Sequence, residues 1–248
     1  MNITVIEARD LPEAWFECLN KTLLDGRDYK IDRGSYAGEY RKQLDFVVIR
    51  IKYPNTRPLI PDVPQGIPAP TTMKYVESYL PYLMTAHKAE GEQYTYGQYL
   101  ESQITEVIKM YKEDGYNTNQ AFMTVGNPES IGLSDPPCLR SIDTRILDNK
   151  LNFIVYFRSW DLWAGFPSNL AGIQLLKEDM GRAIGVDDGE IIAVSKGMHL
   201  YKYVWKMAIE VTQAQSIIEQ RKRGQMELHF IESDIELEKG SGTRTLRH

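Results

Sequence analysis

Cysteine is scarce in this chain: Cys18 and Cys138 are its only two among 248 residues. Two thiols cannot build a disulfide framework, and no Cys/His group has zinc spacing, so neither a covalent scaffold nor a metal is implied. Long apolar runs are also missing. No stretch approaches the roughly 20 residues of a membrane span, and Met1 to Asp10 already carries Glu7 and Asp10, unlike a secretory leader. The expectation is a cytoplasmic protein with no membrane partner. There is no excess of positive charge either, since 29 basic residues face 34 acidic ones for a net charge of −5. That balance excludes a broad cationic footprint for nucleic acid. It leaves room for a small anionic ligand, which needs only a few local arginines. No internal repeat is present.

What is there suits one sizeable core, with 42% of residues hydrophobic. Leu11 to Leu24 places Trp15, Phe16, Cys18, Leu19, Leu23 and Leu24 close to one helical stripe. Leu44 to Ile51 is apolar and β-branched and reads as a buried strand. Six of the twelve prolines then fall between Pro54 and Pro70, a rigid surface loop within one domain. Met73 to Met84 and Gln98 to Lys112 read as helices. Ala121 to Val125, Leu139 to Ile146, Leu151 to Phe157 and Glu190 to Val194 read as strands, with Leu151 to Phe157 apolar enough for burial on both faces. Ser168 or Asn169 is a candidate cap for a helix running to Ile184 and closed by Gly185, and another helix is expected from Lys202 to Arg221. Long helices on a mixed β-sheet make an α+β domain over residues 1–238. The polar, Gly/Ser-containing segment 239–248 is expected to be disordered.

The chemistry centres on Cys138. A cysteine is nucleophilic only as thiolate, and nearby arginines lower its pKa; Arg140 and Arg158 are candidates for that effect. The Pro136-Pro137 lead-in fixes the backbone ahead of Cys138, whereas Cys18 sits on an apolar helical stripe and reads as core. Twenty positions after Cys138 comes Arg158, in Tyr-Phe-Arg-Ser-Trp-Asp-Leu-Trp-Ala-Gly-Phe-Pro-Ser-Asn. That block adds a cation, a hydroxyl, a carboxylate and a carboxamide, the groups that hold a polar, phosphorylated heterocycle.

Pro136-Pro137-Cys138, Arg158-Ser159 with Asp161, Gly165 with Pro167 and Asn169, and His199-Leu200-Tyr201 resemble the active-site blocks of the thymidylate synthase family. Their order is the family's, as are the intervals of 20, 11 and 30 residues between Cys138, Arg158, Asn169 and His199. Tyr96-Gly97 is similar to the family's Tyr-Gly, Glu77 ahead of Leu80 and Leu83 to its helical glutamate, and Asp32-Arg33-Gly34 to its phosphate loop. The short chain and the run from Phe157 to Trp205 look most like the archaeal branch, and pyrimidine hydroxymethylases share most of these blocks.

The resemblance implies a symmetric homodimer through the sheet and a methyltransferase reaction from deoxyuridylate to thymidylate. Cys138 would add to C6 of the base, with 5,10-methylenetetrahydrofolate or methylene-tetrahydromethanopterin as co-substrate and no metal. Glu77, through ordered water, would assist the proton transfers, and Tyr96 is a further catalytic candidate. Arg33, Arg158 and Ser159 would hold the phosphate, Asn169 the base, His199 and Tyr201 the sugar hydroxyl, and Asp161 the pterin. Hydroxymethylation of a cytidylate, with water in place of hydride, is the alternative; a non-catalytic nucleotide-binding homologue is a second. Asn169 suits uracil, since a carboxamide matches the N3–H and O4 pair.

The chain departs from the family pattern at several positions. Leu139 stands where a histidine usually follows the cysteine, and Phe157 where a glutamine precedes the arginine. The arginine pair a partner subunit lends to the phosphate would fall at Asn119-Gln120, leaving Arg140 or Arg145 as candidate replacements. The C-terminal lid is not recognisable after Gly224.

Overall fold

A computed structural model of the protein describes residues 1–213. In chain order the elements are β1 (Ile3–Ala8), α1 (Leu11–Asp25), β2 (Arg27–Lys30), β3 (Tyr40–Gln43), β4 (Phe46–Ile51), α2 (Met73–Met84) and α3 (Gly97–Glu113). There follow β5 (Phe122–Thr124), β6 (Leu139–Leu147), β7 (Lys150–Phe157), β8 (Trp160–Asp161), α4 (Gly165–Ile184), β9 (Asp187–Ser195), β10 (Met198–Tyr201) and α5 (Trp205–Thr212). The class is α+β.

Six strands form a mixed sheet in the order β1-β4-β9-β7-β6-β5, and four form a smaller one, β2-β3-β10-β8. In the large sheet β1/β4 and β7/β9 are parallel while β4/β9, β6/β7 and β5/β6 are antiparallel. Alternation in β7 sends Leu151, Phe153, Val155 and Phe157 to the helical layer, where all four are fully buried. Its other face is open. Ile154 is 37% exposed and lies in register with Ile192, while Val5, Val48, Val194 and Tyr156 follow one another across four strands. The expectation that Leu151 to Phe157 is buried on both faces is therefore corrected: within this chain only one face is covered.

The core is built around α1 and α4. Asp10 caps α1 by accepting from the Glu13 N–H at 3.0 Å, and Trp15, Cys18 and Leu19 are fully buried. The Trp15 indole donates to Leu162 O at 2.8 Å, tying α1 to the segment between β8 and α4. Helix α4 is apolar nearly all round because α1, α2, α3 and the sheet all pack on it. It begins at Gly165, earlier than expected, so Ser168 and Asn169 are inside it and not caps. Asp161 supplies the cap, accepting from the Trp163 and Gly165 N–H groups at 3.1 and 3.3 Å, and this leaves Ser168 to donate to Ala164 O at 2.7 Å. Gly185 closes the helix with φ of 92°. A buried lysine, Lys177, donates to Gly189 O and faces Asp188 at 3.4 Å; burial brings its pKa down to about 8.

The proline-rich stretch between β4 and α2 contains no helix or strand, and Arg57 pins it to α4 through two bonds to Glu178 at 2.8 and 2.9 Å. Strands β2 and β3 were not expected: they are short and polar, and pairing with β10 rather than their own apolar content holds them. Of the helix expected over Lys202–Arg221, a 3-10 turn and α5 are seen as far as Thr212; the remainder, and the segment 239–248, lie outside the described residues. Among the described residues no helix is long and apolar enough to cross a membrane.

Close approach of α2 to α4 depends on Gly172, where an added Cβ would meet Tyr79 Cδ1 at 2.9 Å and Cε1 at 3.0 Å. Gly172→Ala is expected to destabilise the protein by about 1–3 kcal/mol through overpacking, measured by urea unfolding. An unchanged midpoint would show that α2 is free to shift.

Candidate active site

The turn before β6 carries Cys138, and Arg158, just past β7, holds that turn. The Arg158 backbone N–H donates to Cys138 O at 2.9 Å, continuing the β6/β7 ladder one step beyond Leu139↔Phe157. Its side chain then folds back: Nε donates to Pro137 O at 3.2 Å, and Nη2 donates to Pro136 O and to Asp135 at 3.2 Å. Because both prolines lack N–H groups, the carbonyls of this turn are its only backbone polar groups there, and the guanidinium satisfies two of them. One edge of Arg158 is thus spent on structure, and of its donors Nη1 remains for the phosphate it was expected to hold.

A cavity of about 160 Å³ opens at Cys138, lined also by Arg33, Arg158, Ser159, Asp161, His199 and Tyr201. It adjoins a larger one of about 590 Å³ reached by Arg33, Arg41, Arg158, Ser159 and Lys196. On the other side of Asp161 a third, of about 470 Å³, runs between Thr71, Tyr75, Gly165 and Asn169. Residues from 33 to 201 in sequence therefore converge on one thiol.

Asn169 is oriented by its neighbours. Its Oδ1 accepts from the Trp160 indole at 3.1 Å, and its Nδ2 donates to the Tyr79 hydroxyl at 3.1 Å. An indole N–H can only donate, so the carboxamide cannot be turned round without losing that bond. Trp160 is itself held by stacking on Phe157, ring centroids 4.0 Å apart and nearly parallel. Phe157 and Leu139, which replace polar family residues, are fully buried here and act as core.

His199 projects from β10. Its Nδ1 contacts Gly197 O at 2.8 Å, which requires the proton on Nδ1 and makes Nε2 an acceptor; Nε2 is buried without a partner. Burial brings the His199 pKa down to about 4, so the ring is neutral near pH 7. Tyr201 stacks on Tyr36 at 4.3 Å, bringing the β2/β3 hairpin tip, with Arg33, over the cavity.

Tyr96 is buried and its hydroxyl accepts from the Leu139 N–H at 3.3 Å, directly behind Cys138. Tyr96 lines none of the three cavities, and neither does Glu77, which is solvent-exposed. On α2 the inward positions are Val76, Tyr79 and Leu83, and Glu77 lies about 200° from Tyr79 at 100° per residue. Tyr79, on the inward face, accepts from Asn169 Nδ2 and also lines none of the three cavities. Arg140 and Arg145 also lie off the cavities, and Asn119 and Gln120 are exposed ahead of β5. Arg41 and Tyr79 were missed. A tyrosine or arginine without a motif carries no signal in one sequence, although the Val76-Tyr79-Leu83 spacing does mark the inward face of α2.

Burial pushes the Cys138 thiol above its ordinary value; Arg158 opposes this, and Asp135 and Asp161 add to it. Tyr79, Tyr82, Tyr94 and Tyr96 surround it with neutral hydroxyls, Tyr82 pushed up to about 12 by burial. Burial likewise raises the Asp161 carboxyl against the three backbone N–H groups that lower it.

The thymidylate synthase family model matches residues 83–239. A Methanosarcina mazei protein, provisionally named a thymidylate synthase, is 30% identical over 211 residues, spanning 82% of this chain and 92% of its own length. A Methanothermobacter thermautotrophicus protein of the same provisional name is 26% identical over 224 residues, 83% of this chain and 97% of its own. The thymidylate synthase of Listeria monocytogenes is 34% identical over 100 residues, 40% of this chain and 32% of its own length.

Since Cys18 is fully buried, a soluble thiol reagent reads Cys138. Alkylation by iodoacetamide should keep accelerating as pH rises past 9, because only the thiolate reacts and its pKa is raised. At pH 8, Asp135→Asn should speed the reaction several-fold and Arg158→Met should slow it. A rate that levels off below pH 8 would contradict this electrostatic picture.

Proposed function

The chain belongs to the thymidylate synthase family, and from that premise we propose that it converts deoxyuridylate to thymidylate by reductive methylation at C5, with Cys138 as the nucleophile. The observation that carries the proposal is the convergence of Cys138, Arg158, Ser159, Asp161, His199 and Tyr201 on one small cavity.

In this reading the base lies over Cys138, whose thiolate adds to C6 and makes C5 nucleophilic. The addition needs a thiolate, and the free protein holds mainly thiol, so loss of the thiol proton to solvent accompanies the addition, with Arg158, already on the turn, favouring the thiolate. Asn169 faces the uracil edge with one N–H and one carbonyl oxygen, held in that order by Trp160. The neutral His199 Nε2 accepts from a sugar hydroxyl, with Tyr201 beside it. Arg33, Arg158 Nη1 and Ser159 bind the phosphate.

The cavity between Thr71, Tyr75 and Asn169 fits a reduced pterin: it adjoins the base site through Asp161, an acceptor-only carboxylate for ring N–H groups, and Tyr75 offers an exposed aromatic face. Bound there, methylenetetrahydrofolate or methylene-tetrahydromethanopterin would supply the one-carbon unit and a hydride. Tyr96 positions the backbone at Leu139 beside the nucleophile, and Tyr79 supports the base site by accepting from Asn169.

We further assign the protein to the cytoplasm as a homodimer of single catalytic domains spanning residues 1–238. The open apolar face of the large sheet, from Val5 to Tyr156, supports dimerisation by that face.

Mass spectrometry of nucleotides after incubation with deoxyuridylate or cytidylates and each methylene pterin tests the reaction. A gain of one methylene on deoxyuridylate is expected; a hydroxymethyl product on cytosine, or no product with either pterin, would overturn it. Cys138→Ser should reduce turnover by about 10³-fold or more while nucleotide still binds, and near-normal turnover would remove the covalent mechanism. Asn169→Asp should shift competition from uracil toward cytosine nucleotides; an unchanged preference would remove its base-reading role.

A further inference from the structure

Five buried side-chain polar atoms among the described residues have no hydrogen-bond partner, and three of them, Arg41 Nε, Gln43 Oε1 and His199 Nε2, lie on one pair of strands. In the β3/β10 ladder Gln43 is directly opposite His199, and Arg41 opposite Tyr201. Cross-strand partners project to the same face of a sheet, and this face meets the cavities at Cys138. Unpaired buried polar groups are costly, and their gathering at one place is accounted for by a ligand that supplies the missing partners.

Charge narrows the chemistry. The larger cavity is reached by Arg33, Arg41, Arg158 and Lys196 and by two carboxylates, Asp32 and Asp135. Asp135 is engaged by Arg158. Arg33, Arg41 and Lys196 have no ion-pair partner among the described residues. Arg41 and Arg158 are near enough for each to oppose the other's charge, and both oppose protonation of His199. Two half-buried guanidiniums without an intervening anion repel one another; a dianion between them reverses the sign of that interaction. Arg158 cannot hold such a group alone, because its Nε and Nη2 are committed to the Cys138 turn.

We propose that Arg41 is the second fixed phosphate ligand of the site, donating from its guanidinium to the phosphate of the bound nucleoside monophosphate opposite Arg158. The proposal rests on the nucleotide reading above, and it assigns to β3 of this chain a role that neither Arg140 nor Arg145 is placed to fill.

The test compares 2′-deoxyuridine 5′-monophosphate with 2′-deoxyuridine, measuring affinity by protection of Cys138 from alkylation. The wild type should bind the monophosphate far more tightly than the nucleoside. Arg41→Met should weaken monophosphate binding by roughly 10–100-fold, the loss expected of one charged hydrogen bond, and leave nucleoside binding unchanged. Arg41→Lys, which keeps the charge but not the guanidinium, should fall between and provides the reading if Arg41→Met does not fold. If the phosphate preference survives undiminished in the folded variants, Arg41 is not a phosphate ligand. If the wild type shows no preference for the monophosphate, the nucleotide reading itself fails.

Discussion

Arg158 closing on the Asp135–Cys138 turn is the interaction on which the site depends. It lies one residue beyond β7 and reaches three groups of a turn that precedes it by about 20 residues. Two consecutive prolines make that turn stiff but leave its carbonyls without local donors. The guanidinium supplies the donors and so sets where the Cys138 thiol stands. The same charge lowers the thiol pKa against the burial that raises it. Structure and reactivity are therefore coupled through one side chain, and its commitment to the turn limits what it can do for a ligand.

Around this clamp the two sheets divide the labour. The large sheet, buried on one face against α1 and α4, places the ends of β6 and β7 next to each other with little freedom. The small sheet brings β3 and β10 across the opening with unpaired polar atoms turned inward, and its hairpin tip folds over through the Tyr36–Tyr201 stack. The wall behind the thiol is made of tyrosine hydroxyls and lacks the carboxylate expected at residue 77. Those hydroxyls are neutral and buried, a setting in which the charges that act on the thiol, Arg158, Asp135 and Asp161, have large effects.

Much of this was legible in the residues. The stripe from Leu11 to Leu24, the apolar strands and the long α4 follow from periodicity alone, and the spaced residues Cys138, Arg158 and His199 line one cavity, with Asn169 in the neighbouring one. The failures have local causes. Glu77 matched a motif by its neighbours Leu80 and Leu83, yet a helix places residues two apart on opposite sides, so Tyr79 faces inward instead. Strands β2 and β3 lack an apolar pattern because they are short, polar strands at a polar cavity, with β2 at the sheet edge, and Arg41 on β3 inherited that invisibility. Asn169 resembled a cap because the true cap, Asp161, acts from outside the helix it terminates.

The central claim is that one cavity seats a pyrimidine nucleotide with its base at Cys138 and its phosphate toward Arg158. A crystal structure of the protein soaked with deoxyuridylate tests it most directly. The account predicts C6 of the base within bonding approach of Cys138 Sγ, the base edge reaching Asn169 past Asp161, and the phosphate among Arg33, Arg41 and Arg158. A nucleotide bound elsewhere, or bound with its phosphate at Asn169 and its base away from the thiol, would contradict it.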